Sequence, residues 1–409
     1  MAGQAFPATQ TSPAIPAASS APARRVSPLL SRLLLLALSL CLPLLALELG
    51  FRTIGPFLPG DYELGDRFEF DPLLGWRYRP NIVSGTHSPE LATVFAVNQQ
   101  GLRDEDVSYD KPAAGFRILA LGDSFLAASE VALQATVAKQ LQSLLRSALV
   151  DRPVDVVNAG VQGYGTTQEY LYLDSEGYKY HPDVVLLLVF LGNDPIDNIR
   201  SSAGSWERPV FDLDDNGRLG RLDRPERGAD RSFTLDKLLL SRSMVYSFFR
   251  TGVLTKLGRS GSDDAETRDL MEDFPLYERN ASSKVQRAWE VTEALIQASA
   301  TRSDEIGARL VVVATPTSRQ LDPPRFRQQL LEHRLDPAKY DVQLSRARLS
   351  QIATRLNLAY LDLLPALAEA SAQEPMYFPK GLHWTAAGHR IAAQAIQDFL
   401  ISRSIARPG

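Results

Sequence analysis

The chain has 409 residues, 44% of them hydrophobic and 22% charged, an ordinary globular composition that excludes wholesale disorder, a collagen-like chain and a multi-span membrane protein. Forty-four Lys and Arg against 48 Asp and Glu leave a net charge of -4, so no electrostatic footprint for nucleic acid is present. The one cysteine, Cys41, excludes an intrachain disulfide framework and a multi-thiolate zinc site.

Residues 1–27 are rich in Ala, Pro, Ser, Thr and Gln without apolar periodicity, which predicts a disordered tail. Arg24, Arg25 and Arg32 then precede an uncharged apolar run from Leu33 to Leu47. The run alone is short of the ~20 residues that span a hydrocarbon core. Snorkelling by Arg32 and the flanking Leu29, Leu30, Leu49 and Phe51 extend it to a span, so residues 28–51 read as a transmembrane signal-anchor helix. A small-x-small cleavage site is missing, because Leu44 stands two positions before Ala46; a cleaved signal peptide and a buried soluble helix are the competing readings. Basic residues on the N-terminal side place the tail in the cytoplasm and the rest of the chain outside it, in the periplasm if the source is bacterial, with the lipid bilayer as one partner.

Residues 52–114 are rich in Gly, Pro, Tyr and Phe and predict a strand-rich extension packed on the main domain. From 115 onward, apolar runs alternate with segments of helical period. The runs are Arg117 to Leu121, Val154 to Val161, Asp183 to Gly192, Arg309 to Pro316 and Ala359 to Leu364; the helices are Ala132 to Leu149, Thr167 to Tyr178, Val285 to Ile306, Pro337 to Leu356 and Thr385 to Ile401. Val184 to Phe190 has no polar residue, as expected of a strand buried on both faces. The pattern predicts an α/β, doubly wound, flavodoxin-like sheet of five parallel strands in a three-layer α/β/α sandwich, with its ligand crevice at the carboxyl ends of the strands.

Residues 200–282 interrupt the alternation as a charged, Gly-rich insertion that could cover the crevice. Asp212, Asp214, Asn216, Gly217 and Asp223 inside it have spacings reminiscent of a calcium loop, but Arg218 and Arg221 add positive charge and Asp stands where Glu is usual. A hairpin turning at Asp215, Asn216 and Gly217 is the preferred reading.

Three strand ends carry groups suited to acyl chemistry. The first strand runs into Gly122-Asp123-Ser124-Phe125, the second into the Gly-rich Asn158-Ala159-Gly160-Val161-Gln162-Gly163-Tyr164-Gly165, and the third into Gly192-Asn193-Asp194. Backbone N–H groups and an Asn carboxamide converging on one point are what a tetrahedral oxyanion needs. His383, just before the last helix, can remove the proton of Ser124. His389 lies inside that helix and reads as a packing residue. His87, His181 and His333 have no partner pattern and read as surface residues.

Gly-Asp-Ser, a Gly after the second strand, Gly-Asn-Asp after the third and a His near the C-terminus, in this order over residues 115 to 402, resemble the SGNH/GDSL hydrolase superfamily. The resemblance implies Ser124 as nucleophile, Gly160 and Asn193 in the oxyanion hole with the Ser124 N–H, and His383 as general base. One departure stands out. The superfamily usually carries an acid two or three residues before the histidine, where this chain has Gly381 and Lys380. Either a backbone carbonyl or a more distant carboxylate such as Asp362 orients His383, giving a Ser/His dyad, or the site is weakened; Asp123 and Asp194 are further supporting candidates, Asp194 as a residue that shapes the crevice.

The expected function is therefore a membrane-anchored serine esterase acting through a Ser124 acyl-enzyme on ester bonds outside the cytoplasm, with an ester-bearing small molecule or an envelope polysaccharide as substrate. An O-acetyltransferase or deacetylase of an envelope polysaccharide, and a catalytically degenerate glycan-binding or scaffold protein, are the alternatives. No metal or organic cofactor is expected, since the Gly-rich loop lacks a dinucleotide fingerprint and no metal-ligand cluster stands at the strand ends.

Overall fold

The computed structural model describes residues 28–54, 67–87, 92–203, 206–225, 243–247, 274–379 and 383–407. The chain divides into two units, one ending at Leu49 and one beginning at Gly50.

The apolar run lies in helix α1, Pro28–Ile54, most of which belongs to the first unit. Pro28 fits its first position, where no intrahelical N–H is required, and leucine and alanine favour the helix on both sides of the interior Pro43. The stretch Arg32–Gly50 has a mean hydropathy of 2.3 and is long and apolar enough to cross a membrane. Its leucines are exposed along the whole stretch, a surface that water tolerates poorly.

The second unit is built on five parallel strands: β1, Phe116–Gly122; β2, Val154–Gly160; β3, Val184–Phe190; β4, Arg309–Thr315; and β5, Ala359–Asp362. Their order across the sheet is β5-β4-β3-β1-β2, the doubly wound order expected from the alternation. Alternate residues of β1 and β3 feed two separate cores. Leu119, Leu121, Val185, Leu187 and Val189 pack on one face with Leu171 and Leu173 of α4 (Thr166–Ser175), Val285 and Ile296 of α6 (Ser283–Glu305), and Leu349 and Ile352 of α7 (Leu344–Arg355). Ile118, Ala120, Val184, Leu186 and Leu188 pack on the other with Leu141 and Leu145 of α3 (Val137–Ala148) and Ala392, Ile396 and Leu400 of α8 (Ala386–Ser402). Period-2 side-chain alternation with apolar residues on both faces is why the strands are central and why the sandwich has three layers. Two short helices complete the site described below: α2, Ser124–Ala127, and α5, Asp194–Asp197.

Several boundaries differ from the sequence pattern. The helix expected over Ala132 to Leu149 breaks at Thr136, whose extended backbone and side chain cap α3 by accepting the Lys139 N–H. The one expected over Pro337 to Leu356 begins only at Leu344, because Pro337 and the turn after it close a separate 3-10 turn.

The segment before β1 forms two antiparallel hairpins, Phe68–Asp71 with Gly75–Tyr78 and Val83–His87 with Ala92–Ala96. Trp76, Tyr78, Phe95, Val97 and Leu102 from this segment are buried in the same core as α4 and α6. In the insertion, Val210–Leu213 pairs with Leu219–Asp223 in the expected hairpin. Asp214 Oδ1 accepts from the N–H groups of Asn216 and Arg218, and Gly217 takes φ +73°, so the acid serves the turn. The expectation that the insertion covers the crevice falls largely on residues 226–242 and 248–273, which lie outside the described residues.

Candidate active site

The register of the sheet places Gly122 at the end of β1 directly opposite Gly160 at the end of β2. The chain then turns sharply into α2, with Asp123 as its N-cap: its carboxylate accepts the Phe125 N–H at 2.9 Å, and Ser124 opens the helix. A Cβ at Gly160 would stand 2.5 Å from the Ala127 nitrogen and 2.7 Å from the Leu126 carbonyl carbon, so β2 can approach α2 this closely only with glycine there. Asn158 ties the same pieces together. Its Nδ2 donates to the Leu126 carbonyl at 3.1 Å, and its Oδ1 accepts the Gly160 N–H at 3.0 Å.

That second bond bears on the oxyanion assignment, because the Gly160 N–H is already committed to Asn158. Three residues on, Gly163 takes φ +78° in a turn closed by the Tyr164 N–H to the Val161 carbonyl at 3.1 Å. The N–H groups of Ser124 and Gly163 have no acceptor among the described residues. Asn193 follows β3 and immediately precedes α5, and its Oδ1 is without a partner among the described residues.

His383 is presented by a short antiparallel ladder. Phe378 donates its N–H to the His383 carbonyl at 2.8 Å, Tyr377 pairs with Trp384, and Thr385 donates to Met376 at 2.9 Å before capping α8. The imidazole packs on Phe125, with ring centroids 5.0 Å apart. Its Nε2 lies 2.8 Å from Ser124 Oγ. Its other nitrogen, Nδ1, lies 3.3 Å from Oε1 of Glu130, a residue that the sequence pattern did not single out. Only its being the first acid after Ser124, at the carboxyl end of the sheet, marked it in the sequence. Lys380 and Gly381 lie outside the described residues.

Asp362 does not reach the imidazole through its own contacts. Its Oδ1 accepts the Leu364 N–H at 3.0 Å and its Oδ2 pairs with Arg346 at 2.9 Å, which makes it a cap and an ion-pair partner. Asp194 is wholly buried and accepts the Phe190 N–H at 2.7 Å, bracing the end of β3. Asp197 pairs with Arg208 at 2.9 Å. Beneath the site, burial pushes three carboxyls up: Asp123 to about 6, and Glu169 and Asp194 well above the usual range, with mutual repulsion adding to the effect. Glu169 has no hydrogen-bond partner for either oxygen among the described residues. His389 is buried and held neutral, its pKa lowered to about 3 by burial and by the nearby Arg103 charge. Among the described residues no group of three or more His, Cys, Asp or Glu is arranged to hold a metal.

Residues 274–407, roughly a third of the chain, match the family model described as "SGNH hydrolase-like domain, acetyltransferase AlgX". Over that stretch the chain is similar to an SGNH hydrolase-like domain. The matched part carries His383 but not Ser124, which the fold brings within 2.8 Å of its Nε2. Similar solved structures include TesA (12% identity, TM-score 0.37, covering 69% of this chain and 97% of that one). A variant of Axe2, an acetyl-xylooligosaccharide esterase from Geobacillus stearothermophilus, gives 13% identity and a TM-score of 0.39 over 71% and 96% of the two chains. A lipase/acylhydrolase from Enterococcus faecalis gives 14% identity and a TM-score of 0.35 over 70% and 96%. A sequence search of curated proteins returned no match.

Proposed function

We propose that this protein is a serine acyl hydrolase that cleaves an ester through an acyl-enzyme on Ser124. The 2.8 Å contact between His383 Nε2 and Ser124 Oγ carries this reading, since a serine hydroxyl is inert at neutral pH without a base in hydrogen-bond reach. Oγ attacks the acyl carbonyl as its proton passes to Nε2. The resulting oxyanion is held by the N–H groups of Ser124 and Gly163 and by the Asn193 carboxamide, with Gly160 serving the close approach of β2 to α2. Collapse expels the alcohol, which takes the proton back from His383. Water then attacks the acyl-enzyme, giving its proton to His383, and the acid leaves as Ser124 is reprotonated. No step needs a metal or an organic cofactor.

A second reading changes only the acceptor or the donor: O-acetyl transfer to, or deacetylation of, an envelope polysaccharide. The match to a family described as an acetyltransferase favours it. The α1 anchor, with its basic N-terminal flank, supports a catalytic domain held outside the cytoplasm, in reach of such a polymer.

The test is fluorophosphonate labelling and p-nitrophenyl acetate turnover of the full chain in detergent, beside Ser124→Ala and His383→Ala. Labelling and turnover lost in both variants support a Ser/His site, whereas turnover unchanged in Ser124→Ala overturns the proposal. Acetyl counts on envelope glycan that change on deletion of the protein support the second reading, and unchanged counts exclude it.

A further inference from the structure

We infer that Glu130 is the positioning acid of this site, replacing the one missing before His383, and that the strand-rich segment ahead of β1 holds it in place. The inference rests on the Ser124/His383 reading above and adds to it a residue on a different element. Oε1 of Glu130 lies 3.3 Å from His383 Nδ1, on the side of the ring opposite Ser124, and both side chains are about three-quarters buried. A carboxylate there fixes the tautomer that leaves Nε2 free to accept the serine proton, and it stabilises the imidazolium once the proton has moved. The acid beside Ser124, Asp123, caps α2, and Asp362 is paired with Arg346.

Glu130 sits in the loop that leaves α2, where Ala128 takes φ +53°, a left-handed conformation that a residue with a Cβ adopts only when its surroundings enforce it. Arg103 supplies the enforcement. Its buried guanidinium donates to the carbonyls of Ala127 and Val131, each at 2.6 Å, and to that of Ala128, while Thr93 Oγ1 donates to the Ser129 carbonyl at 2.8 Å. Four of the five backbone carbonyls from Ala127 to Val131 are thus gripped from residues 93 and 103, both in the extension before β1. Burial lowers Arg103 to about 10, so it stays cationic at neutral pH, and the nearby Glu130 charge supports it. A segment that sequence alone marks as decoration therefore sets the position of the acid, and through it the imidazole. The titratable groups that interact with His383 or its acid include Asp123 from the α2 cap, Arg103 and Tyr78 from the extension and His389 from α8.

The experiment compares the full chain with Glu130→Gln, Glu130→Asp and Thr93→Val, each checked for cooperative unfolding. Glu130→Gln is expected to lower kcat for p-nitrophenyl acetate by about 10²-fold with KM little changed, since the acid acts on the proton transfer and not on ester binding. Glu130→Asp is expected to recover part of the loss. Thr93→Val is expected to lower kcat in the native background and to do nothing further in Glu130→Gln, the non-additivity of residues acting on one group. A second readout needs no turnover: a far-downfield ring N–H proton resonance of His383, present in the native chain and absent in Glu130→Gln and His383→Ala. Loss of kcat and of that resonance together support the assignment. Native kcat and an unchanged resonance in a folded Glu130→Gln overturn it while leaving the Ser124/His383 reading intact. A native chain that shows neither turnover nor fluorophosphonate labelling but keeps the Glu130-dependent resonance overturns the proposed activity alone.

Discussion

Val137 at the start of α3 donates its backbone N–H to Nδ1 of His389 in α8 at 3.2 Å, a bond between residues 252 positions apart. It satisfies one of the N–H groups that every helix leaves unpaired in its first turn, and it locks the buried imidazole as a neutral acceptor. Trp384 meets the same ring edge-on, so the bond also steadies the turn that carries His383.

The titration of His389 therefore destabilises the protein in acid. Its folded pKa is lowered to about 3 from 6.5, so the unfolded chain binds the extra proton between those values. Its contribution is fully present above pH 6.5 and is lost as pH falls through that window, at about 1.4 kcal/mol per pH unit. His389→Gln keeps an acceptor for Val137 without the titration. Urea unfolding at pH 7.5 and pH 5.0 is expected to show the variant losing about 2 kcal/mol less than the native chain between the two.

Glu169 behaves with the opposite sign. Its folded pKa lies well above 4.5, so the folded state binds the extra proton, and stability falls as pH rises past the unfolded value. Glu169→Gln is expected to be more stable than the native chain at pH 7.5. The gap should narrow as pH falls toward 4.5, as read by urea midpoints across that range. A constant difference would mean that the carboxyl does not titrate on unfolding.

Gly160→Ala is expected to cost about 2–4 kcal/mol of stability, the range for a strained close approach in a packed interior, because the added methyl meets backbone on α2 rather than a side chain that can turn away. Displacing α2 also moves Ser124. Fluorophosphonate labelling should therefore fall in this variant even under conditions where thermal melting shows it fully folded.

Asp362→Asn tests the acid that the sequence suggested for His383. Removing its pairing with the half-exposed Arg346 is expected to cost no more than about 1 kcal/mol, and labelling of Ser124 should match the native chain. A loss of labelling comparable with that of Glu130→Gln would instead make Asp362 part of the proton relay.

Much of the framework was legible in the linear pattern because its causes are local. Val184 to Phe190 can only be a strand buried on both faces, and five such runs alternating with helical periods leave few sheets to build. Ser124 and His383 were marked by their places at strand ends and by neighbouring residue types. Glu130 had no such mark. It lies six residues beyond Ser124 with no motif around it, and it reaches His383 only because Arg103 and Thr93 bend the backbone between Ala127 and Val131. Gly160 is ambiguous for a related reason: a glycine at a strand end is equally suited to donate to an oxyanion or to admit a neighbouring backbone, and its N–H is taken here by Asn158 Oδ1.

The sequence by itself determined the sheet, the apolar N-terminal helix and the two residues that meet at 2.8 Å, since periodicity and turn chemistry act over a few residues at a time. Only the tertiary structure decided which acid faces the imidazole, which glycine N–H remains free and that the extension before β1 braces the site. Those are hydrogen bonds between segments distant in the chain, fixed by packing and invisible to any local pattern.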